Sequence, residues 1–361
     1  MSVRIALVGC GAITEAHHLP LAVQAGEVTL LVDTNEARTK MLAARHGVPN
    51  VSKDLNDVFT HADAAIVAVP NHLHAPIAST LLERGVHVLL EKPMGLNGAD
   101  CDVIQAAEAK GGAVLAMGHP RRFWATTAWV KTAMERSLIG ELVSFEVRDG
   151  WQFAWPLAST YLFERQRAGG GCLMDMGPHL VDLLLYWLGD LEVLAYRDDA
   201  DGGVEANCEV EVRTKKGATG FVEFSRTRQL RNTFLLKGTK GLIEMGAEKG
   251  NQLAFTMDGE TQVVGMGLRP TDRHGDRLNG PERDRVTWRL NGKPLWVEDF
   301  DALMKKQLDD FLGAVRGEHP PWVPSSEGRR AVDFVEVCYG MREPLEPPHL
   351  RRMREVNDAR G

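Results

Sequence analysis

Val3-Arg4-Ile5-Ala6-Leu7-Val8-Gly9-Cys10-Gly11-Ala12-Ile13-Thr14 opens the chain with an apolar run, a glycine turn and the start of a helical pattern. The run 5–8 is apolar at every position, as suits a parallel strand covered on both faces. Ala16, Leu19 and Val23 then recur at helical spacing. This order brings a dinucleotide pyrophosphate to the start of a helix. Gly9 allows the tight turn and Gly11 a close backbone approach, and the amides of Ala12 and Ile13 face the phosphates. Thr14 stands where the fingerprint has its third glycine or alanine. A second apolar run, 29–32, ends in Asp33, 19 residues beyond Thr14. An acid at that place binds the hydroxyls of an adenosine ribose and repels a 2′-phosphate. Thr34 and Asn35 follow, with no arginine directly after the acid, so NAD is the expected cofactor. Arg38 and Lys40 are near enough in sequence to keep NADP possible.

Outward from this turn, apolar runs at 5–8, 29–32, 64–69, 86–90 and 114–117 alternate with helical stretches at about 12–25, 35–46, 74–84 and 97–110. Alternation of this kind predicts a doubly wound parallel sheet, an α/β Rossmann domain over residues 1–120. Ligands on such sheets lie at the carboxyl ends of the strands. The residues just beyond the third and fourth runs are therefore candidate cofactor contacts: Pro70, Asn71 and His74, then Glu91 and Lys92. A lysine held between an apolar strand and Pro93 sits near the cofactor rather than in open solvent.

The alternation stops near residue 120. A helix at 126–137 and a strand at 142–148 precede a stretch, 149–168, rich in Trp151, Phe153, Trp155, Arg165 and Arg167. Core packing and a substrate wall both account for it. Three glycines, 169–171, then lead into Asp175, Pro178 and His179. Proline is acceptable near a helix start, so a helix is expected to begin there. Asp175 and His179 are four apart and share a helix face. A carboxylate beside an imidazole fixes its tautomer and raises its basicity; a helix cap beside a structural histidine fits equally well. Short strands follow at 192–197, 205–213, 218–224, 233–238, 241–245, 252–256 and 261–264, a large, open, mostly antiparallel sheet. Phe221, Val222 and Phe224 place apolar groups on both its faces, which predicts a homo-oligomer, dimer or tetramer. A loop at 267–285, helices at 299–316 and 326–341 and an extended tail at 344–361 complete an α+β domain expected over 121–361.

Glu91-Lys92-Pro93, the glycines 169–171 followed by Asp175-x-x-x-His179, and the later Asp182 together resemble the signatures of the glucose–fructose oxidoreductase / inositol dehydrogenase / MocA family. Gly118-His119-Pro120-Arg121-Arg122-Phe123 is similar to that family's crossover segment, with His119-Pro120 a departure from it. The resemblance implies an NAD(P)-dependent oxidoreductase that moves a hydride between nicotinamide and a hydroxyl or keto carbon of a sugar, cyclitol or derivative. It implies a catalytic group of Lys92, Asp175 and His179, with His179 as acid–base. Substrate contacts are then expected from Lys92, Arg122, Trp151, Asp175 and His179. Two alternatives stay open: an NAD-dependent glycosidase that keeps its cofactor, and a non-catalytic NAD- or sugar-sensing regulator.

Composition excludes other classes. The 361 residues are 44% hydrophobic and 25% charged, with a net charge of −7. No basic field is present to draw nucleic acid or an acidic membrane. Five scattered cysteines, without ligand spacing, fit reduced thiols in a cytoplasm. The N-terminal run is too short for a signal peptide, and no run reaches the length of a membrane span. His17, His18, His72 and His74 lack accompanying carboxylates or cysteines at metal spacing, so no metal is expected.

Overall fold

The computed structural model describes residues 2–154, 160–247, 253–257, 260–264, 289–290, 293–294 and 300–346. Six strands, β1 (Arg4–Val8), β2 (Glu27–Val32), β3 (Asn50–Ser52), β4 (Ala64–Val67), β5 (His87–Glu91) and β6 (Leu115–Gly118), form a sheet in the order β3-β2-β1-β4-β5-β6. All neighbours are parallel. Alternate residues serve two cores, as the period of two dictates. Ala6, Val8, Val67 and Leu90 pack towards the helices His74–Glu83 and Gly98–Gly111. Ile5, Leu7, Ile66 and Leu89 pack towards Leu19, Ala22 and Leu42 on the opposite side. The short edge strand β3 escapes a sequence reading because Val51 is its one apolar residue.

The sheet order reverses between β2-β1 and β1-β4, so the glycine turn after β1 lies at a topological switch point. The helix after that turn is not regular. Residues Thr14–His18 form a π-turn, and an α-helix runs only from Leu19 to Ala25. Such insertions often mark functional sites; here His18 and Glu15 project from it.

The second lobe is built on nine strands. They are β7 (Leu142–Gly150), β8 (Leu191–Asp198), β9 (Asn207–Thr214), β10 (Thr219–Ser225), β11 (Thr233–Gly238), β12 (Gly241–Gly246), β13 (Leu253–Met257) and β14 (Glu260–Val264), with β17 (Arg342–Pro344) at one edge. A separate two-residue pair, β15 (Arg289–Leu290) and β16 (Lys293–Pro294), stands outside this sheet. The order is β14-β13-β12-β11-β7-β10-β9-β8-β17, antiparallel except for β10 with β7 and β17 with β8. One face buries Val147, Val210, Val222 and Phe224 together with the helix Cys172–Leu188. The other face departs from the expected apolar surface. Arg148 pairs there with Glu146 and Glu223 at 2.9 and 2.8 Å, and its guanidinium covers the Phe221 ring at 5.1 Å. Arg213 pairs with Glu192 and Arg197 with Glu211. A belt of ion pairs thus surrounds Phe221 on the face from which an oligomer was expected.

The final helices return to the first lobe. Leu308, Phe311 and Leu312 of the helix Phe300–Val315 join the core around Leu19 and Ala22. The helix Ser325–Gly340 spans the two lobes, with Val332 in one core and Val335 and Cys338 in the other. Trp155, the expected loop at 267–285 and the tail beyond residue 346 lie outside the described residues.

Candidate active site

At the nucleotide end, Gly9 has φ +93°, and a Cβ there would stand 2.3 Å from the Ala68 carbonyl oxygen, so glycine is required. A Cβ on Gly11 would meet nothing within 4 Å, which leaves open space above the turn. Thr14 replaces the third fingerprint glycine without closing that space. Its side chain is buried, and its hydroxyl donates to the Gly9 carbonyl at 2.6 Å. Asp33, at the end of β2, accepts from the amides of Cys10 at 2.7 Å and Asn35 at 2.8 Å. The acid therefore holds the turn beside the ribose position while keeping lone pairs for ribose hydroxyls. These features fit a dinucleotide: Gly9 to Ile13 would hold the pyrophosphate and Asp33 the adenosine ribose.

At the reacting end, β5 delivers Glu91 and Lys92, and the Lys92–Pro93 peptide is cis. Glu91 turns inward: His18 Nε2 donates to Glu91 Oε1 at 2.8 Å. Burial pushes the Glu91 carboxyl up, but the His18 bond and the charges of His18 and Lys92 outweigh it and hold it below the usual range. Lys92 reaches across to the second lobe. Its Nζ donates to Asp175 Oδ1 at 2.9 Å and to the Asp175 carbonyl at 3.0 Å.

Asp175 and His179 sit in the helix Cys172–Leu188, which begins earlier than the sequence predicts. Two features at Glu205 start it. Glu205 accepts from the amides of Cys172 and Leu173, at 2.9 and 3.0 Å. Gly171 lets that chain approach, since a Cβ would stand 1.9 Å from the Glu205 carbonyl oxygen. Pro178 consequently lies inside the helix, where it cannot donate to Met174. The loosened turn is where the Asp175 carbonyl accepts Lys92.

The expected Asp175–His179 pair is not formed. The Asp175 carboxylate is spent on Lys92 and on Arg226 Nη2. Burial raises this carboxyl, and the two cations overwhelm that effect and hold it far below the usual range. His179 Nδ1 is enclosed without a hydrogen-bond partner. Burial first, then the charges of Lys92, Arg121 and His119, depress the imidazole well below its ordinary value. Lys92, Asp175 and His179 are thus brought together, with Lys92 rather than His179 as the partner of the carboxylate.

The other expected residues lie as follows. Arg122, expected to touch substrate, is buried and bidentate to Asp182 at 2.6 and 2.7 Å, with Glu327 also at 2.6 Å. Its stem of charge lies against the Tyr186 ring at 4.2 Å. His74, expected at the cofactor, is buried with its ring nitrogens facing the carbonyls of Pro93 at 2.6 Å and Val69 at 2.9 Å. It braces the segment that carries Lys92. Asn71 donates to the Ala168 carbonyl at 2.8 Å and ties the end of β4 to the second lobe, next to Pro70. Trp151 packs against the second-lobe core, its amide bonded to Ser225. Thr34 follows Asp33 at the end of β2.

Sequence reasoning missed two groups here. Arg226, just beyond β10, is buried against Asp175 and lies 5.0 Å over the Phe153 ring. Tyr161 feels Asp175 and Glu91, and burial with those charges pushes its hydroxyl up to about 12, so it stays a donor. Only the aromatic density of 149–168 hinted at Tyr161; nothing local marked Arg226. Among the described residues no group of His, Cys, Asp and Glu could hold a metal ion, and no helix is long and apolar enough to cross a membrane.

Known proteins bear on this geometry. Residues 3–119 match an oxidoreductase family with an NAD-binding Rossmann fold, and residues 127–244 match the GFO/IDH/MocA C-terminal domain. The chain is similar to a myo-inositol 2-dehydrogenase of Thermotoga maritima, 25% identical over 98% of this chain and 99% of that protein. An oxidoreductase subunit assigned to UDP-kanosamine synthesis in Amycolatopsis mediterranei is 37% identical over 52% of each chain, so this chain spans about half of it. A levoglucosan dehydrogenase solved with NADH and levoglucosan superposes with a TM-score of 0.78 over 94% of this chain and 98% of that one, at 23% identity. The chain belongs to the GFO/IDH/MocA family of NAD(P)-dependent oxidoreductases acting on sugars and cyclitols.

Proposed function

We propose that this enzyme oxidises a hydroxyl carbon of a sugar, cyclitol or derivative, or reduces the corresponding ketone, with His179 as acid–base. The observation that carries this reading is the convergence at the β5 edge of Lys92 from one lobe with Asp175 and His179 from the other. When bound, the nicotinamide supplies the redox chemistry by exchanging a hydride. In oxidation, His179 Nε2 takes the hydroxyl proton; its depressed basicity keeps the imidazole neutral and ready to accept it. Lys92 stabilises the developing alkoxide. Asp175 orients the ammonium, and Arg226 keeps the carboxylate ionised. NAD is the preferred cofactor on the strength of Asp33.

The test is a panel of sugars, cyclitols and their acids with NAD and with NADP, read at the absorbance of the reduced ring. Net reduction by at least one of them is expected. A glycoside cleaved with no net reduction would point instead to a glycosidase. With the responding substrate, His179→Asn lowers turnover by a factor on the order of 100 to 10,000. Turnover within twofold of the parent would remove the acid–base role.

The pH dependence follows from the direction of the shift. A base whose pKa is lowered in the folded protein stays unprotonated as pH falls past the ordinary histidine value of about 6.5. kcat/KM for oxidation is therefore expected to hold steady from about pH 8 down to about 6.5 and to fall only below it. An acid limb centred above that value, and abolished by His179→Asn, would contradict the assigned environment.

A further inference from the structure

Asp33 alone does not decide between NAD and NADP, because sites that take a 2′-phosphate do so with arginines near the same strand end. This chain has two. Arg38, five residues beyond Asp33, reaches the glycine turn, where its Nε donates to the Cys10 carbonyl. Arg45 lies two turns further along the same helix, Glu36–His46. Both are engaged by one carboxylate. Arg38 Nη2 donates to Glu15 Oε2 at 2.6 Å, and Arg45 Nη1 donates to Glu15 Oε1 at 2.7 Å. The π-turn presents Glu15 there, its amide bonded to the Gly11 carbonyl at 3.0 Å. The lysines of this edge are engaged in the same manner, with Lys40 and Lys53 both on Glu36 at 2.6 and 2.8 Å.

We propose that Glu15 selects the cofactor: by occupying both guanidinium groups it withholds the cations a 2′-phosphate would need, and so reserves the site for NAD. The proposal rests on the reading that the glycine turn and Asp33 hold the adenosine end of a dinucleotide. Glu15 here spans two guanidinium groups while Asp33 holds the turn through the Cys10 and Asn35 amides, and an incoming phosphate meets an edge whose arginines are already paired. Glu15 is 30% exposed in its side chain and Arg38 26%, so solvent weakens the pairs without dissolving them. Removing the Glu15 charge leaves Arg38 within reach of the turn and free to pair with phosphate in a bidentate fashion.

The experiment needs no substrate. NADH and NADPH are titrated into the full-length protein and followed by the fluorescence of the reduced ring. The ratio of their dissociation constants, NADPH over NADH, is expected to drop about tenfold in Glu15→Gln, the equivalent of one charge-assisted hydrogen bond gained by the phosphate. Glu15→Ala is expected to move it in the same direction. Adding Arg38→Gln and Arg45→Gln to Glu15→Gln is expected to return the ratio to the parent value. A ratio that changes less than twofold in both Glu15 variants overturns the proposal, as does a gain that survives loss of both arginines. Failure of the parent protein to bind NADH at all would instead overturn the cofactor reading beneath it.

Discussion

Replacing Lys92 by methionine is expected to lower turnover by a factor of about 100 to 1,000, the loss typical of one oxyanion-stabilising donor. Methionine keeps the length and the apolar stem but removes the charge. One consequence follows from the role proposed for Lys92 and one from the geometry. The developing alkoxide loses its cation, and Asp175 loses the partner that spans the lobes at 2.9 Å. Arg226 remains on the carboxylate, so Asp175 stays ionised and the site does not collapse into a neutral one. With the adenosine end held by the glycine turn and Asp33 as proposed, NADH affinity is expected to change much less than kcat. Arginine at residue 92 is not expected to rescue activity, since a planar fork cannot reproduce a point ammonium between an oxygen pair and a substrate. Steady-state rates on the responding sugar check this. A kcat within a factor of three of the parent would sink the assignment of Lys92.

The second large effect is on stability rather than rate. Asp182→Ala is expected to destabilise the fold by about 3–5 kcal/mol, read as a lowered urea midpoint by circular dichroism. Both side chains of the Arg122–Asp182 pair are 2% exposed, and both guanidinium bonds to the carboxylate are short and parallel. Removing the aspartate leaves a buried cation with Glu327 as its remaining carboxylate. Asp182→Asn keeps an acceptor and is expected to cost less. An unchanged midpoint for the alanine variant would show that the pair carries no such weight.

The contrast between these two sites explains what the sequence made legible. The placement of the glycine turn, Asp33 and Glu91-Lys92-Pro93 at one edge of the sheet is legible because each follows a strand end, and strand ends of a parallel sheet lie together by topology. Thr14 looks like a defect in the fingerprint until its hydroxyl is seen folded under Gly9. Spacing of four placed Asp175 and His179 on one helix face, but a shared face is not a bond, and a cation from another lobe took the carboxylate. Arg122 and His74 carry the same chemistry as site residues and sit beside the motifs. Only burial and bonding partners distinguish a brace from a contact. Arg226 comes from a strand end 51 residues beyond Asp175, a separation no local pattern reports.

The helix Phe300–Val315 has one more implication. Leu308, Phe311 and Leu312 roof the apolar groups around Leu19 and Ala22, although almost two hundred residues separate that helix from the end of the parallel sheet. A stretch of chain that reads as a self-contained nucleotide module therefore completes its own interior only after the far lobe has been made. Nascent chain emerging in order would carry an uncovered hydrophobic flank for about half of its synthesis, and the two lobes are better regarded as one cooperative body than as separable parts.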